Sequence, residues 1–190
     1  MSEHVKPPGA GKSSFDLIDP DILWKELDFS KGITLLDLGC GPGHYALAAA
    51  QLIGPEGTVY AVDLWDEGVA HLQKRASQEC LFNIKGLVAK AGDIPLDDRS
   101  VDVGFMATVL HDLAEAGTAA GALEEMLRVI KPGGLLAIVE FDKIDGPPGP
   151  PKHIRLAPVE VDALVAPYGF KRQKTVKLGP YNYLITFRKA

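Results

Sequence analysis

From residue 33 onward, short apolar runs alternate with longer stretches in which apolar residues recur every three or four positions. The runs at 33–38, 58–63, 84–90, 101–107 and 134–140 read as strands, and the stretches 44–53, 66–79, 115–130 and 159–167 as helices. Strands separated by helices are joined by right-handed crossovers, so the pattern predicts an α/β fold: a mostly parallel sheet with helices on both faces. The rhythm breaks at the end of the chain. Segments 170–178 and 181–188 are separated only by Gly179-Pro180, which predicts an antiparallel hairpin. Near the start, Asp19-Pro20 supplies a cap and a first-turn proline for a short helix through Trp24 and Leu27, expected at the edge of the sheet. Residues 1–14 show no periodicity and are rich in Pro, Gly and Ser, so they read as a flexible arm before a single domain at 15–190. The Pro-rich segment 145–151 reads as an extended, linker-like insert after the fifth strand.

Composition narrows the function classes. A chain of 190 residues, 46% hydrophobic and 24% charged, can bury one core but not two. Acidic residues outnumber Lys and Arg by 25 to 20, so nucleic acid is not an expected substrate. The two cysteines, Cys40 and Cys80, are too few for a disulfide framework and lack metal-ligand spacing; a reducing cytoplasm and no metal are expected. No apolar run approaches the roughly 20 residues that span a bilayer, so no membrane partner is expected. Gly11-Lys12-Ser13 imitates the end of a phosphate-binding loop, but Lys6 stands where that motif needs its first glycine.

The chemistry lies at the strand ends. The strand Leu35-Leu36-Asp37-Leu38 runs into Gly39-Cys40-Gly41-Pro42-Gly43 and then into a helix, placing three glycines two apart where backbone N–H groups face a ligand. A dinucleotide fingerprint spaces its glycines as G-x-G-x-x-G, and the acid at Asp37 would repel a pyrophosphate while attracting an ammonium. Asp63 ends the second strand, where a carboxylate can accept hydrogen bonds from both hydroxyls of a ribose. Gly92-Asp93-Ile94-Pro95 follows the third strand, and Leu127-Arg128-Val129-Ile130-Lys131-Pro132-Gly133-Gly134 precedes the fifth. In this order the four segments resemble the class I S-adenosylmethionine (SAM)-dependent methyltransferases, and the chain is similar to their small, single-domain, type 11-like members.

That resemblance implies the seven-stranded, Rossmann-like methyltransferase sheet and SAM as cofactor, with S-adenosylhomocysteine (SAH) as product. It assigns Asp37 and Gly39, Cys40, Gly41 and Gly43 to the methionine part, Asp63 and Leu64 to the ribose region, and Gly92, Asp93 and the main chain of Ile94 to the adenine, with Ala107 completing the pocket. It also implies methyl transfer to a small-molecule acceptor by direct displacement. The loop after the fourth strand carries His111, which reads either as a general base or as a pocket wall, and Asp112, which reads as a helix cap or a solvated acid. The Asn/Asp-Pro-Pro-aromatic segment of nucleobase and glutamine methyltransferases is absent, as are the several cysteines of an arsenite methyltransferase. Substrate selection is expected from the arm and the insert, through Phe15, Lys143, His153 and Arg155; Lys152, His153 and Arg155 at the end of the Pro-rich segment read either as a clamp for an anion or as part of a solvated crossover loop. Two other readings share some of these features: a SAM-binding sensor or partner subunit without catalysis, and an NAD-dependent oxidoreductase, which the glycine spacing and the hairpin disfavour. Homodimerisation through the N-terminal helix or the hairpin edge stays open.

Overall fold

The computed structural model describes residues 9–27 and 29–190. In chain order the elements are α1 (Pro20–Leu27), β1 (Thr34–Leu38), α2 (His44–Ile53), β2 (Thr58–Asp63), α3 (Asp66–Gln78), β3 (Ile84–Val88), β4 (Val101–Ala107), α4 (Leu110–Glu115), α5 (Ala119–Val129), β5 (Ile130–Phe141), α6 (Pro158–Val165), β6 (Phe170–Lys177) and β7 (Asn182–Lys189). The strands form one seven-stranded sheet in the order β3-β2-β1-β4-β5-β7-β6. The first five are parallel, and β7 runs antiparallel between β5 and β6.

Period-2 alternation divides the core in two. Leu35, Val59, Val103, Phe105 and Ala137 face one layer, where Leu23, Ala46, Ala50, Ile53 and Leu72 of α1, α2 and α3 cover them. Leu36, Leu38, Val62, Met106 and Ile138 face the other, under Leu110, Leu123, Met126, Val161 and Val165 of α4, α5 and α6. Among the described residues, no helix is long and apolar enough to cross a membrane.

Several expectations need correction. The stretch 115–130 is not one helix: Gly117, with φ +69°, breaks it, and the amide of Thr118 turns back to the Leu113 carbonyl. The third strand stops at Val88, where pairing with Asp63 ends. The fifth begins at Ile130, but its pairing with β4 jumps from Ile130 to Leu135, so Lys131–Gly134 forms a bulge. Helix α1, capped by Asp19 Oδ1 at 3.0 and 3.2 Å from the Asp21 and Ile22 amides, is not confined to the sheet edge. It is tied to edge strand β6 by Lys174 and Glu26, and Trp24 reaches inward to the Phe105 ring of β4. Of the predicted arm, residues 1–8 lie outside the described residues, while 9–14 fold over the sheet's carboxyl end.

Candidate functional site

Strand order reverses between β1 and β4, which opens a crevice at the carboxyl ends of these strands. A cavity of about 970 Å³ occupies it. Its floor is the turn Gly39–Pro42, while Gly43, expected to bind the cofactor, caps α2 and does not line the cavity. The amides of Gly39 and Cys40 both donate to the Val62 carbonyl, at 2.8 and 3.1 Å, and so stitch the turn to β2. Two of the glycines are obligatory. Gly39 has φ +76°, and a Cβ there would lie 2.7 Å from Val109 Cγ2; Gly43 has φ +84°, and its Cβ would lie 2.3 Å from Leu72 Cδ1.

Asp63 locks the turn from the side. Its Oδ2 accepts the Gly41 amide at 2.7 Å and its Oδ1 accepts the Trp65 amide at 2.8 Å, so each oxygen keeps a lone pair for the cavity. Asp37 lies buried beneath the turn and does not line the cavity. It takes the Ala46 amide in the first turn of α2, a capping task that Gly43 has no side chain to perform. Burial, with the Asp63 charge adding and the Ala46 amide opposing, pushes the Asp37 carboxyl up to about 7. Its Oδ2 is buried with no hydrogen-bond partner among the described residues. Burial also pushes the Cys40 thiol up, with the charges of Asp37 and Asp63 adding, so it faces the cavity as a neutral group.

Leu64, Gly92, Asp93 and Ala107 all line the same cavity as the turn. Ile94 does not. Its amide donates to Glu125 Oε2 at 2.7 Å and its carbonyl accepts from Arg128 Nη2 at 2.8 Å, so the main-chain contact expected of it is already occupied. Arg128 also donates to Glu125 and to the Leu96 carbonyl. This pair on α5 shapes the loop that presents Asp93.

The opposite end is built by the loop after β4 and by the strap Gly9–Ser14. Thr108 adopts φ +54°, a strained conformation for a β-branched residue. Ser14 holds it there: the buried Ser14 hydroxyl lies 3.1 Å from Thr108 Oγ1 and 2.9 Å from the Tyr45 hydroxyl. Val109, Leu113 and Ala116 supply apolar walls, and Asp112 and Glu115 supply carboxylates. His111 is buried behind that wall. Nδ1 lies 2.8 Å from Glu140 Oε2 and Nε2 lies 3.3 Å from Asp112 Oδ1. Burial opposes charge on the imidazole, but the Glu140 hydrogen bond and the charges of Glu140, Asp112 and Glu115 outweigh it and raise its pKa.

The residues expected to select substrate lie elsewhere. Phe15 packs edge-on against Tyr45 and over His44, anchoring the base of the strap without lining the cavity. Lys143 is paired with Glu160, and His153 is exposed. Arg155 is buried, and its guanidinium donates to the carbonyls of Asp142, Gly146, Pro148 and Pro150. A desolvated guanidinium needs its donors satisfied, and the loop carbonyls do this; Arg155 therefore organises the insert rather than clamping an anion. Sequence reasoning assigned no role to Ser14, Tyr45, Thr108 or Glu125, and took Asp112 for a cap or a solvated acid. Only the acidic side chain beside His111 offered a signal.

A family model described as methyltransferase domain matches residues 36–138, more than half of the chain. A demethylmenaquinone methyltransferase from Geobacillus kaustophilus is 31% identical over 122 residues, covering 62% of this chain and 51% of that protein. A chloroplastic 2-phytyl-1,4-beta-naphthoquinone methyltransferase from Arabidopsis thaliana is 32% identical over 129 residues, covering 64% of this chain and 48% of that protein. The matches thus span about half the length of these curated relatives. A solved structure of a SAM-dependent methyltransferase from Aquifex aeolicus superposes with a TM-score of 0.86 at 31% identity, covering 97% of this chain and 95% of that one.

Proposed function

The chain belongs to the SAM-dependent methyltransferase family, and we propose that it transfers the methyl group of SAM to an apolar small-molecule acceptor by direct displacement. The observation that carries this reading is the charge of the crevice. Asp63, Asp93, Asp112 and Glu115 line the cavity against two lysines, Lys12 and Lys90, with Asp37 and its unpartnered oxygen beneath the floor. Such a site suits a cofactor that carries cationic groups and no phosphate, and opposes a pyrophosphate. The free lone pairs of Asp63 would hold ribose hydroxyls, Asp93 and Gly92 the base, and the field of Asp37 acting through the glycine turn the ammonium. When bound, SAM supplies a methyl group already activated on a sulfonium. What the protein adds is placement and the exclusion of water. The strap and the walls at Val109, Leu113 and Ala116 do both at the acceptor end.

The names of the curated relatives extend the proposal to a flat, quinone-type ring as acceptor, which those apolar walls suit. The free thiols of Cys40 and Cys80 fit the proposed cytoplasmic setting. The test is transfer of labelled methyl from SAM to a set of reduced naphthoquinones and phenols. Labelled product from any of them supports the enzyme; tight SAH binding with no labelled product from a broad acceptor screen would favour a binding protein without catalysis.

A further inference from the structure

One corner of the cavity holds a chain of ionisable groups that leads from the acceptor end into the core. Asp112 forms its outer end: it lines the cavity with its side chain 40% exposed. Behind it stands the imidazole of His111, with Nε2 3.3 Å from Asp112 Oδ1. The inner end is Glu140, fully buried at the end of β5. Its Oε2 lies 2.8 Å from His111 Nδ1, and its carboxylate also accepts the amides of His111 at 3.0 Å and Phe141 at 3.2 Å. Those amide bonds fix Glu140 as an acceptor, so Nδ1 keeps a proton, and in the neutral ring Nε2 presents its lone pair to Asp112. The Phe141 ring stands edge-on to the imidazole and closes its other side. A histidine buried this way cannot touch an acceptor, whereas Asp112 can.

We infer that Asp112 is the catalytic residue that takes the proton from a neutral, phenol-class hydroxyl on the acceptor, and that His111, oriented by Glu140, is the positioning residue that carries this proton away. The inference rests on the methyltransferase reading. As the acceptor oxygen forms its bond to the methyl carbon, the carbon–sulfur electrons stay on sulfur and the O–H proton passes to Asp112 and on to His111 Nε2. His111 thereby becomes an imidazolium between two carboxylates, and the proton then leaves to solvent at the exposed edge of Asp112. Atoms and charge balance without any further reactant. The substrate class follows from the same groups. Asp112 and Glu115 repel an anionic acceptor, while a neutral hydroxyl between apolar walls needs the proton acceptor that Asp112 supplies.

The charged groups facing His111 and Asp112 are Glu140 from β5, Glu115 from α4 and Lys12 from the strap. The relay needs neutral His111, so transfer should rise with pH along a limb above the ordinary histidine range. Removing the Asp112 charge should move that limb to lower pH.

Two readouts test this on the SAH-saturated or SAM-fed full chain. The first is an NMR titration of the histidine ring nitrogens with SAH bound. In Asp112→Asn, an isosteric change at a partly exposed position, the His111 titration should move to lower pH, and no movement would overturn the relay. The second is labelled-methyl transfer to phenol, 1-naphthol and 4-nitrophenol near pH 8. Asp112→Asn should slow kcat about 100-fold on the first two, the usual scale of general-base catalysis, with KM for SAM unchanged. On 4-nitrophenol, already ionised, no loss should remain, because that acceptor needs no base and the variant removes a charge that repels it. Equal loss on all three would reduce Asp112 to a wall, and transfer to none of the three, or only to phenethylamine assayed beside them, would overturn the hydroxyl assignment. SAH that fails to bind the wild type is a separate result, which would refute the methyltransferase reading and this inference with it.

Discussion

Asp37 makes cofactor binding depend on pH in a way that can be worked out in advance. Burial pushes its carboxyl up to about 7 in the ligand-free fold, against about 3.9 for an unhindered aspartate. At pH 6 about one molecule in eleven carries the charge, and at pH 8 about ten in eleven do. A ligand whose ammonium favours the ionised form should therefore bind up to about tenfold more tightly at pH 8 than at pH 6, roughly 1.4 kcal/mol. Calorimetric titration with SAH at pH 6, 7 and 8, in buffers of different ionisation enthalpy, reads both the affinity and the protons released. About half a proton should leave per SAH bound at pH 7. Asp37→Asn should flatten the profile, which separates this effect from the titration of His111. For the fold alone the sign is opposite. A carboxyl raised above its unfolded value contributes stability that is present below about pH 4 and lost as the pH rises through about 7. Without ligand, wild-type Tm should therefore fall over this window relative to Asp37→Asn. An SAH affinity independent of pH from 6 to 8, or a slope retained in Asp37→Asn, would refute the argument.

Three further outcomes follow from the site and its supports. Asp63→Ala removes the acceptor of the Gly41 and Trp65 amides together with the proposed ribose contact, so SAH affinity should fall by about 2 kcal/mol or more in calorimetry; an unchanged Kd would reject that contact. Arg155→Ala strands four loop carbonyls and should destabilise the protein by about 3 kcal/mol in chemical denaturation while leaving SAH affinity intact, and a fall in affinity without loss of stability would restore its expected role in binding. Ser14→Ala frees the strap from Tyr45 and Thr108, and stopped-flow release of SAH should quicken about fivefold, the equivalent of about 1 kcal/mol; an unaltered rate would mean that the strap does not hold the mouth closed.

The sheet was legible because it is written in local alternation: Leu35 and Leu36 enter opposite layers, as neighbours on a strand must. The terminal hairpin was legible because Gly179-Pro180 leaves no length for a crossover helix. The split at Gly117 also had a sequence signal, a glycine followed by a threonine, but the apolar periodicity on both sides overrode it. In the site, the glycine spacing and Asp63 are short-range features, each within a few residues of a strand end. What stayed hidden depends on partners far along the chain. Ile94 is held by Glu125, 31 residues away, and Ser14 reaches Thr108 across 94. Basic residues after a proline run look the same whether they clamp a ligand or, like Arg155, bind the carbonyls of their own loop. The positive φ of Thr108 has no counterpart in residue type at all, since threonine rarely adopts it.

The most direct test of the central claim is a calorimetric titration of the purified protein with SAH, with NAD as the control. Binding of SAH in the micromolar range with no heat from NAD is the predicted result. Binding of NAD, or no binding of SAH, would contradict the assignment of the crevice to SAM.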